Sequence, residues 1–300
     1  MVVRKAAVAG SFYPRYKPDL LSILHESFED STFGPGEELT PLNRERTVMG
    51  GISPHAGYIY SGCAAAYTYL TLFKEKIPDT IIILGTDHIG YGKIALMVEG
   101  EWETPLGNLK IDSKLAKEIL NNSKKIIEDE SAFVGYPFGR EHNIEVQLPF
   151  IKYCAQDKNV EIVPITISTK NFETLDQISN DLAKSISAIN KDIVIIASSD
   201  MTHKQPRNTM LPKEDLDEMR KKDQLVIDAF VELDPKKTLK AASNTSVCGP
   251  QTITTLILTC KKITNKCKGK FLKYYMSYEK GGNTGPCEYS VGYFSGVIIK

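Results

Sequence analysis

From residue 47 to residue 260 the chain alternates short β-branched, apolar runs with longer stretches of helical periodicity. Few folds accept that pattern. Strands separated by helices pair in parallel through crossovers, and the helices then cover both faces of the sheet. Strands are expected at Thr47–Ile52, Thr80–Leu84, Ile94–Val98, Leu109–Ile111, Glu161–Ile167 and Ile193–Ala197. Helices are expected at Lys17–Asp30, Ser61–Phe73, Ser113–Asn122, Glu145–Tyr153, Phe172–Asn190, Lys213–Phe230, Pro235–Ala242 and Pro250–Lys261, with Ser113 as the cap of its helix. Phe271–Tyr278 and Ser290–Ile299 read as a hairpin with a long loop containing Gly281-Gly282-Asn283. No Gly/Ser/Pro linker divides the sequence. The expected fold is therefore α/β: a single-domain, three-layer α/β/α sandwich with a mixed sheet, spanning residues 1–300.

Composition narrows the partners. Lys+Arg and Asp+Glu are equal at 37 each, so net charge does not point to a polyanion. The late lysines, Lys261, Lys262, Lys266, Lys268, Lys270 and Lys273, read as a solvated face, and no nucleic-acid partner is expected. No run approaches the ~20 apolar residues that span a bilayer. The apolar stretch near Met1 is too short for a signal peptide, so a cytoplasmic protein without a membrane partner is expected. The six cysteines form no C-x-x-C pair and read mostly as small buried hydrophobes.

Four of the five histidines fall in short loop-like segments marked by Gly, Pro or Asp, where an α/β scaffold gathers ligands and catalytic groups. His55 lies between Pro54 and Gly57, and His88 follows Asp87 at the mouth of the Ile81–Leu84 run. His142 is flanked by Glu141 and Glu145. His203 lies three residues past Asp200, an arrangement in which a carboxylate orients an imidazole. Cys248, in Val247-Cys248-Gly249-Pro250, could add a thiolate. Each has an ordinary alternative: a turn histidine bonding a carbonyl, a capping or ion-paired His142, an inert loop cysteine. His25 reads as a surface or boundary residue. No G-x-G-x-x-G, P-loop, H-E-x-x-H or G-x-S-x-G is present. A metal-dependent enzyme is the favoured reading. A Cys–His hydrolase using Cys248, His203 and Asp200 is its competitor.

At these residues the chain resembles the MEMO family. The likeness runs from Ala9-Gly10-Ser11-Phe12-Tyr13-Pro14, through Pro54-His55-Ala56-Gly57-Tyr58 and Leu84-Gly85 leading to His88. It continues through Glu141-His142-Asn143-Ile144-Glu145-Val146-Gln147-Leu148-Pro149 and Ser198-Ser199-Asp200 leading to His203, and ends at Cys248-Gly249. The family resembles the class III, LigB-type extradiol dioxygenases, which implies a LigB-like domain with a non-haem iron pocket. By motif, His55, His88 and Cys248 would face the metal, and His203 would be the acid/base group, with His142 nearby and Asp200 beside it. The resemblance implies Fe(II), with copper or zinc as alternatives, because a cysteine stands where the dioxygenases carry a carboxylate and a thiolate favours softer metals.

The resemblance thus implies a dioxygenase-like oxidoreductase acting on a small-molecule substrate, aromatic or enediol in character. Tyr58, Tyr60, Trp102, Tyr136 and Phe138 are available to line its pocket. It also implies radical-SAM and AMMECR-type proteins as pathway partners, and, as a different class of function, a phosphopeptide-type adaptor that kept an enzyme-like pocket. Cys248, close to a cation and to imidazoles, is expected to ionise below the free value of about 8.5 and to be the most reactive cysteine. Asp87 is expected either to accept a bond from the site or to cap a turn.

Overall fold

A computed structural model describes residues 2–134 and 141–300. Four parallel strands form the middle of its main sheet, in the spatial order Val48–Ser53, Ile193–Ser198, Thr80–Thr86 and Glu161–Ile167. Thr80–Thr86 is buried at every position, as befits a strand covered on both faces. The antiparallel members flank this centre. Ser290–Ile299 pairs with Val48–Ser53 on one side, and Ile94–Leu96 pairs with Glu161–Ile167 on the other. Lys268–Met276 completes the terminal hairpin with Ser290–Ile299.

The expected three-layer α/β/α arrangement with a mixed sheet is present. One face carries the helices Lys17–Glu29, Tyr58–Glu75 and Leu148–Ala155. The other carries Ser113–Asn122, Phe172–Ala188, Lys213–Val231, Pro235–Ser243 and Pro250–Ile263. Among the described residues no helix is long and apolar enough to cross a membrane.

Gly50 and Gly51 let both layers close on one strand. A Cβ on Gly50 would run into the Ile195 carbonyl oxygen and into Leu256 of one layer; on Gly51 it would meet Thr68 of the other. Gly50→Ala should therefore cost about 1–3 kcal/mol, the usual range for overpacking, read as a lowered denaturation midpoint with unchanged slope.

Three local expectations need correction. Leu109–Lys110 does not join the main sheet but forms a small three-stranded sheet with Val3–Arg4 and Glu101–Trp102. The cap of the Ser113–Asn122 helix is Asp112, whose carboxylate accepts from the Leu115 N–H at 3.0 Å. The expected helix at Glu145 opens as a 3-10 turn, Glu145–Gln147, before Leu148–Ala155.

Candidate metal centre

The parallel strands end together at one edge of the sheet, and the chain bends out of them into the histidine loops. His55 lies two residues beyond Ser53, Asp200 two beyond Ser198, and His88 two beyond Thr86. These three strands are immediate neighbours, so sheet order alone delivers the three groups to one crevice at the carboxyl ends.

His142 arrives from elsewhere. The segment 141–147 is laid across the strand ends and held by buried amides. Asn143 accepts from the Thr86 N–H at 3.0 Å and donates to the Thr86 carbonyl at 2.7 Å, pairing with that residue as another strand would. Gln147 donates to the Pro54 carbonyl and to the Ser198 hydroxyl, both at 2.9 Å. On its other side, buried Glu145 takes hydrogen bonds from Ala7 N–H, Val8 N–H and the Tyr13 hydroxyl, and an ion pair from Arg4. Phe12 then packs against His142 with ring centroids 5.0 Å apart.

The outcome is a three-histidine cluster. Ring centroids of His55 and His88 are 5.3 Å apart, of His55 and His142 5.8 Å, and of His88 and His142 5.1 Å. A ligand nitrogen from each ring lies within 4.8 Å of the others. A second grouping at the same spacing joins His55 to Asp200 and Cys248. His55 is thus shared, with two imidazoles in one grouping and a carboxylate and a thiol in the other. Among the described residues no grouping of that spacing joins His88 to Cys248.

Proton counting fixes the state of His55. The Ser198 hydroxyl has one hydrogen and gives it to the Asn143 carbonyl at 2.7 Å, since a carbonyl cannot donate. Toward His55 Nδ1, 3.0 Å away, that hydroxyl can only accept. Nδ1 therefore carries the proton and Nε2 presents a lone pair. Burial, followed by the neighbouring imidazoles His88, His142 and His203, holds the ring well below its ordinary value and hence neutral. Nε2 is buried without a hydrogen-bond partner. A buried lone pair of fixed tautomer, with its proton anchored on the far nitrogen, is the form in which histidine ligates metals. The residues fit a cation, and the donor set of imidazoles with a carboxylate and a thiol alongside suits iron, copper or zinc.

Asp200 does not orient His203, contrary to the sequence-based expectation. Its carboxylate accepts from the His55 N–H at 2.8 Å and from the Ala56 N–H, and so secures the His55 loop. Burial pushes this carboxyl up to about 7, against the opposing pull of those two amides. In the metal-free protein the folded state therefore keeps a proton that the unfolded chain has already released. Stability from this group is full below the ordinary carboxylate range and is lost as pH rises toward about 7. Asp200→Asn should flatten that decline in denaturation measured between pH 5 and 8. A cation reverses the preference, so apparent metal affinity should rise over the same window with proton release.

Cys248 opens the turn into the Pro250–Ile263 helix. Its carbonyl accepts from Thr86 Oγ1, which accepts in turn from Gln251 Nε2, each at 3.1 Å. Its sulfur lies 3.3 Å from His203 Nε2. Burial, then the nearby Asp200 carboxylate, pushes the thiol up to about 12. Without a cation it is therefore a thiol, and the expected ionisation below the free value is not found in the metal-free protein. Mass-spectrometric alkylation at pH 7 should label Cys267, partly exposed at the start of the terminal hairpin with the Lys261 cation favouring its thiolate, faster than Cys248.

Of the aromatics offered for a pocket, Tyr136 and Phe138 lie outside the described residues. Trp102 is in the core against Phe133 and beneath the Arg4 guanidinium. Tyr58 is also buried, donating to the Val146 carbonyl, while Tyr60 is exposed. Asp87 caps the turn after His88, accepting from the N–H groups of Ile89, Tyr91 and Gly92. His25 pairs with Glu29 on the surface. Asn143, Gln147 and Ser198 were not among the residues expected to serve the site. All three stand in segments that carry the family likeness, but their roles emerge only when strand ends are brought together.

Comparison with known proteins agrees with that likeness. The profile of the Memo-like protein family matches residues 4–297. A MEMO1 family protein of Desulfurococcus amylolyticus is 40% identical over 301 residues, covering 98% of each chain. One from Nitrosopumilus maritimus is 34% identical over 94% of this chain and 96% of its own, and one from Thermotoga petrophila is 33% identical over 99% of both. With a profile match spanning almost the full length and relatives this close, the chain belongs to the Memo-like protein family.

Proposed function

We propose that this protein is a non-haem, metal-dependent redox enzyme of dioxygenase-like type, acting on a small aromatic or enediol substrate. The observation that carries the reading is the buried Nε2 of His55, which has no hydrogen-bond partner and has Asp200 Oδ2 3.9 Å away, its lone pair fixed by Ser198 and faced by His88 and His142. His55 and His88 would hold Fe(II), with His142 as third donor; the second grouping, His55 with Asp200 and Cys248, would suit copper(I) or zinc, which take thiolate more readily. A bound Fe(II) ion would supply positions open to dioxygen and substrate, and the electron transfer between them.

The chain's own residues do the rest. Asp200 holds the His55 loop through two backbone amides. The Phe12 ring packs against His142 and limits its movement. His203, neutral because burial and then His88 lower its proton affinity, is the acid/base group that exchanges a proton with the substrate through Nε2. The radical-SAM and AMMECR-type proteins of the proposed pathway would supply or consume the substrate.

The 3.3 Å approach of Cys248 to His203 favours a second reading, a Cys–His hydrolase. A thiol held up at about 12 by burial and by Asp200 argues against it, since a nucleophile needs the thiolate. Anaerobic loading with Fe(II) followed by oxygen-electrode assays against a panel of catechols separates the two. The enzyme reading expects iron at about one per chain and substrate-dependent oxygen uptake. Oxygen uptake indistinguishable from free iron, with hydrolysis of activated esters surviving chelation, would establish the hydrolase instead.

A further inference from the structure

No signal in the sequence singles out Tyr289, yet the sheet register delivers it to His203. The short antiparallel pair sets His203 opposite Val291 and Lys204 opposite Ser290. Tyr289 is then the diagonal neighbour of His203 on the same face, a separation that an aromatic side chain spans. Their ring centroids are 5.9 Å apart and the phenol oxygen lies 2.8 Å from Nδ1. The His203 backbone is fixed independently: Ser246 Oγ accepts from its N–H at 2.8 Å and donates to its carbonyl at 2.7 Å. The opposite ring edge, Nε2, faces the Cys248 sulfur.

Tyr289 is 56% exposed, so core packing does not explain its placement. Its hydroxyl contact explains it better. A neutral imidazole has one N–H, and the two candidate partners are unequal: a phenol is a strong donor, a thiol a weak one. If the phenol donates to Nδ1, the ring proton must sit on Nε2, pointing at Cys248 and the pocket.

We propose that Tyr289 is a positioning residue that donates its hydroxyl to His203 Nδ1 and fixes the ring as the Nε2–H tautomer, with the proton aimed into the site. The consequence for turnover rests on the reading of His203 as the proton-moving group; the tautomer itself is a property of the metal-free protein. When Nε2 gives its proton to substrate, Nδ1 takes the phenol proton and the exposed phenol oxygen regains one from solvent. The ring remains neutral, and no charged imidazolium has to be stabilised beside a cation.

The test is two-bond proton–nitrogen NMR of the full-length, metal-free protein labelled with 15N-histidine, with His203 assigned by its loss in His203→Gln. Wild-type His203 should show the Nε2–H pattern, while His55 shows Nδ1–H. Tyr289→Phe keeps the ring contact and removes the hydroxyl; its His203 signals should move to a mixture of tautomers while His55 is unchanged. In the iron-loaded enzyme the same variant should lose about tenfold in kcat with KM unchanged, the size expected for one hydrogen bond. An Nδ1–H pattern in the wild type, or an unaltered His203 in Tyr289→Phe, overturns the assignment whatever the activity. A shifted tautomer in a protein without oxidative turnover leaves the assignment standing and removes the redox reading alone.

Discussion

His55→Ala should abolish metal binding and any activity that depends on it, whereas His203→Ala should keep the metal and lose turnover. The first removes the imidazole common to both donor groupings; the second removes a ring outside the three-histidine cluster. Losing an outer partner of a metal ligand typically costs 10–100-fold in affinity, and loss of the shared ligand should exceed that. Calorimetric titration with Zn(II) under anaerobic conditions reads the first effect, and catechol-dependent oxygen uptake the second. Equal loss of metal affinity in the two variants would show that the assigned division of labour is wrong.

Glu145→Leu should be the most destabilising single change around the site, by roughly 3–5 kcal/mol, the cost of leaving one partner of a buried ion pair alone. Arg4 and Glu145 are 3% and 0% exposed in their side chains. Arg4 also donates to the Phe133 carbonyl at 3.2 Å and to the Glu141 carbonyl at 2.5 Å, so it cannot swing out to water without breaking the wall beneath His142. Replacing the pair with Arg4→Met and Glu145→Leu together should recover part of the loss. Full recovery is not expected, because the Ala7 and Val8 amides and the Tyr13 hydroxyl would still lack their acceptor. Urea denaturation of the two variants measures both effects, and a cost below about 1 kcal/mol for Glu145→Leu would show the pair to be incidental.

The fold was legible because burial leaves a direct trace in periodicity. The continuous, mostly β-branched run Ile81–Leu84 reads as a strand covered on both faces, and the structure buries all four residues. Boundaries were less legible where side chains compete for the same backbone: either Asp112 or Ser113 is chemically able to cap, and only the observed contact chooses Asp112. Leu109–Lys110 has the look of a main-sheet strand, but it pairs with Glu101–Trp102, whose other neighbour, Val3–Arg4, comes from the chain's first residues, and local pattern cannot reveal that separate sheet.

The site was legible in its residue types and not in its pairings. Placement after strand ends pointed to His55, His88 and the region of Asp200, because strand order carries such loops together. Asp200 and His203 are close in sequence, which suggested a partnership. Instead the carboxylate turns to the His55 and Ala56 amides, and His203 continues onto a short strand beside Ser290–Ile299. His142 lies between two glutamates, and the capping and ion-pairing that this position suggests for it belong to those neighbours: Glu141 accepts from the Ile144 N–H at 2.6 Å, and Glu145 holds Arg4. Such long-range exchanges of partner depend on register and on proton inventory, neither of which spacing records.

X-ray absorption of the zinc-loaded protein tests most directly whether His55 Nε2 is the metal-binding atom. A centre built on that atom should show imidazole nitrogen at about 2.0–2.1 Å, from at least two rings where the three-histidine grouping holds the ion, or from one ring with sulfur at about 2.3 Å where the grouping with Asp200 and Cys248 does. The same pattern should vanish in His55→Ala. A shell of oxygen alone, or an imidazole pattern unchanged in His55→Ala, would contradict it.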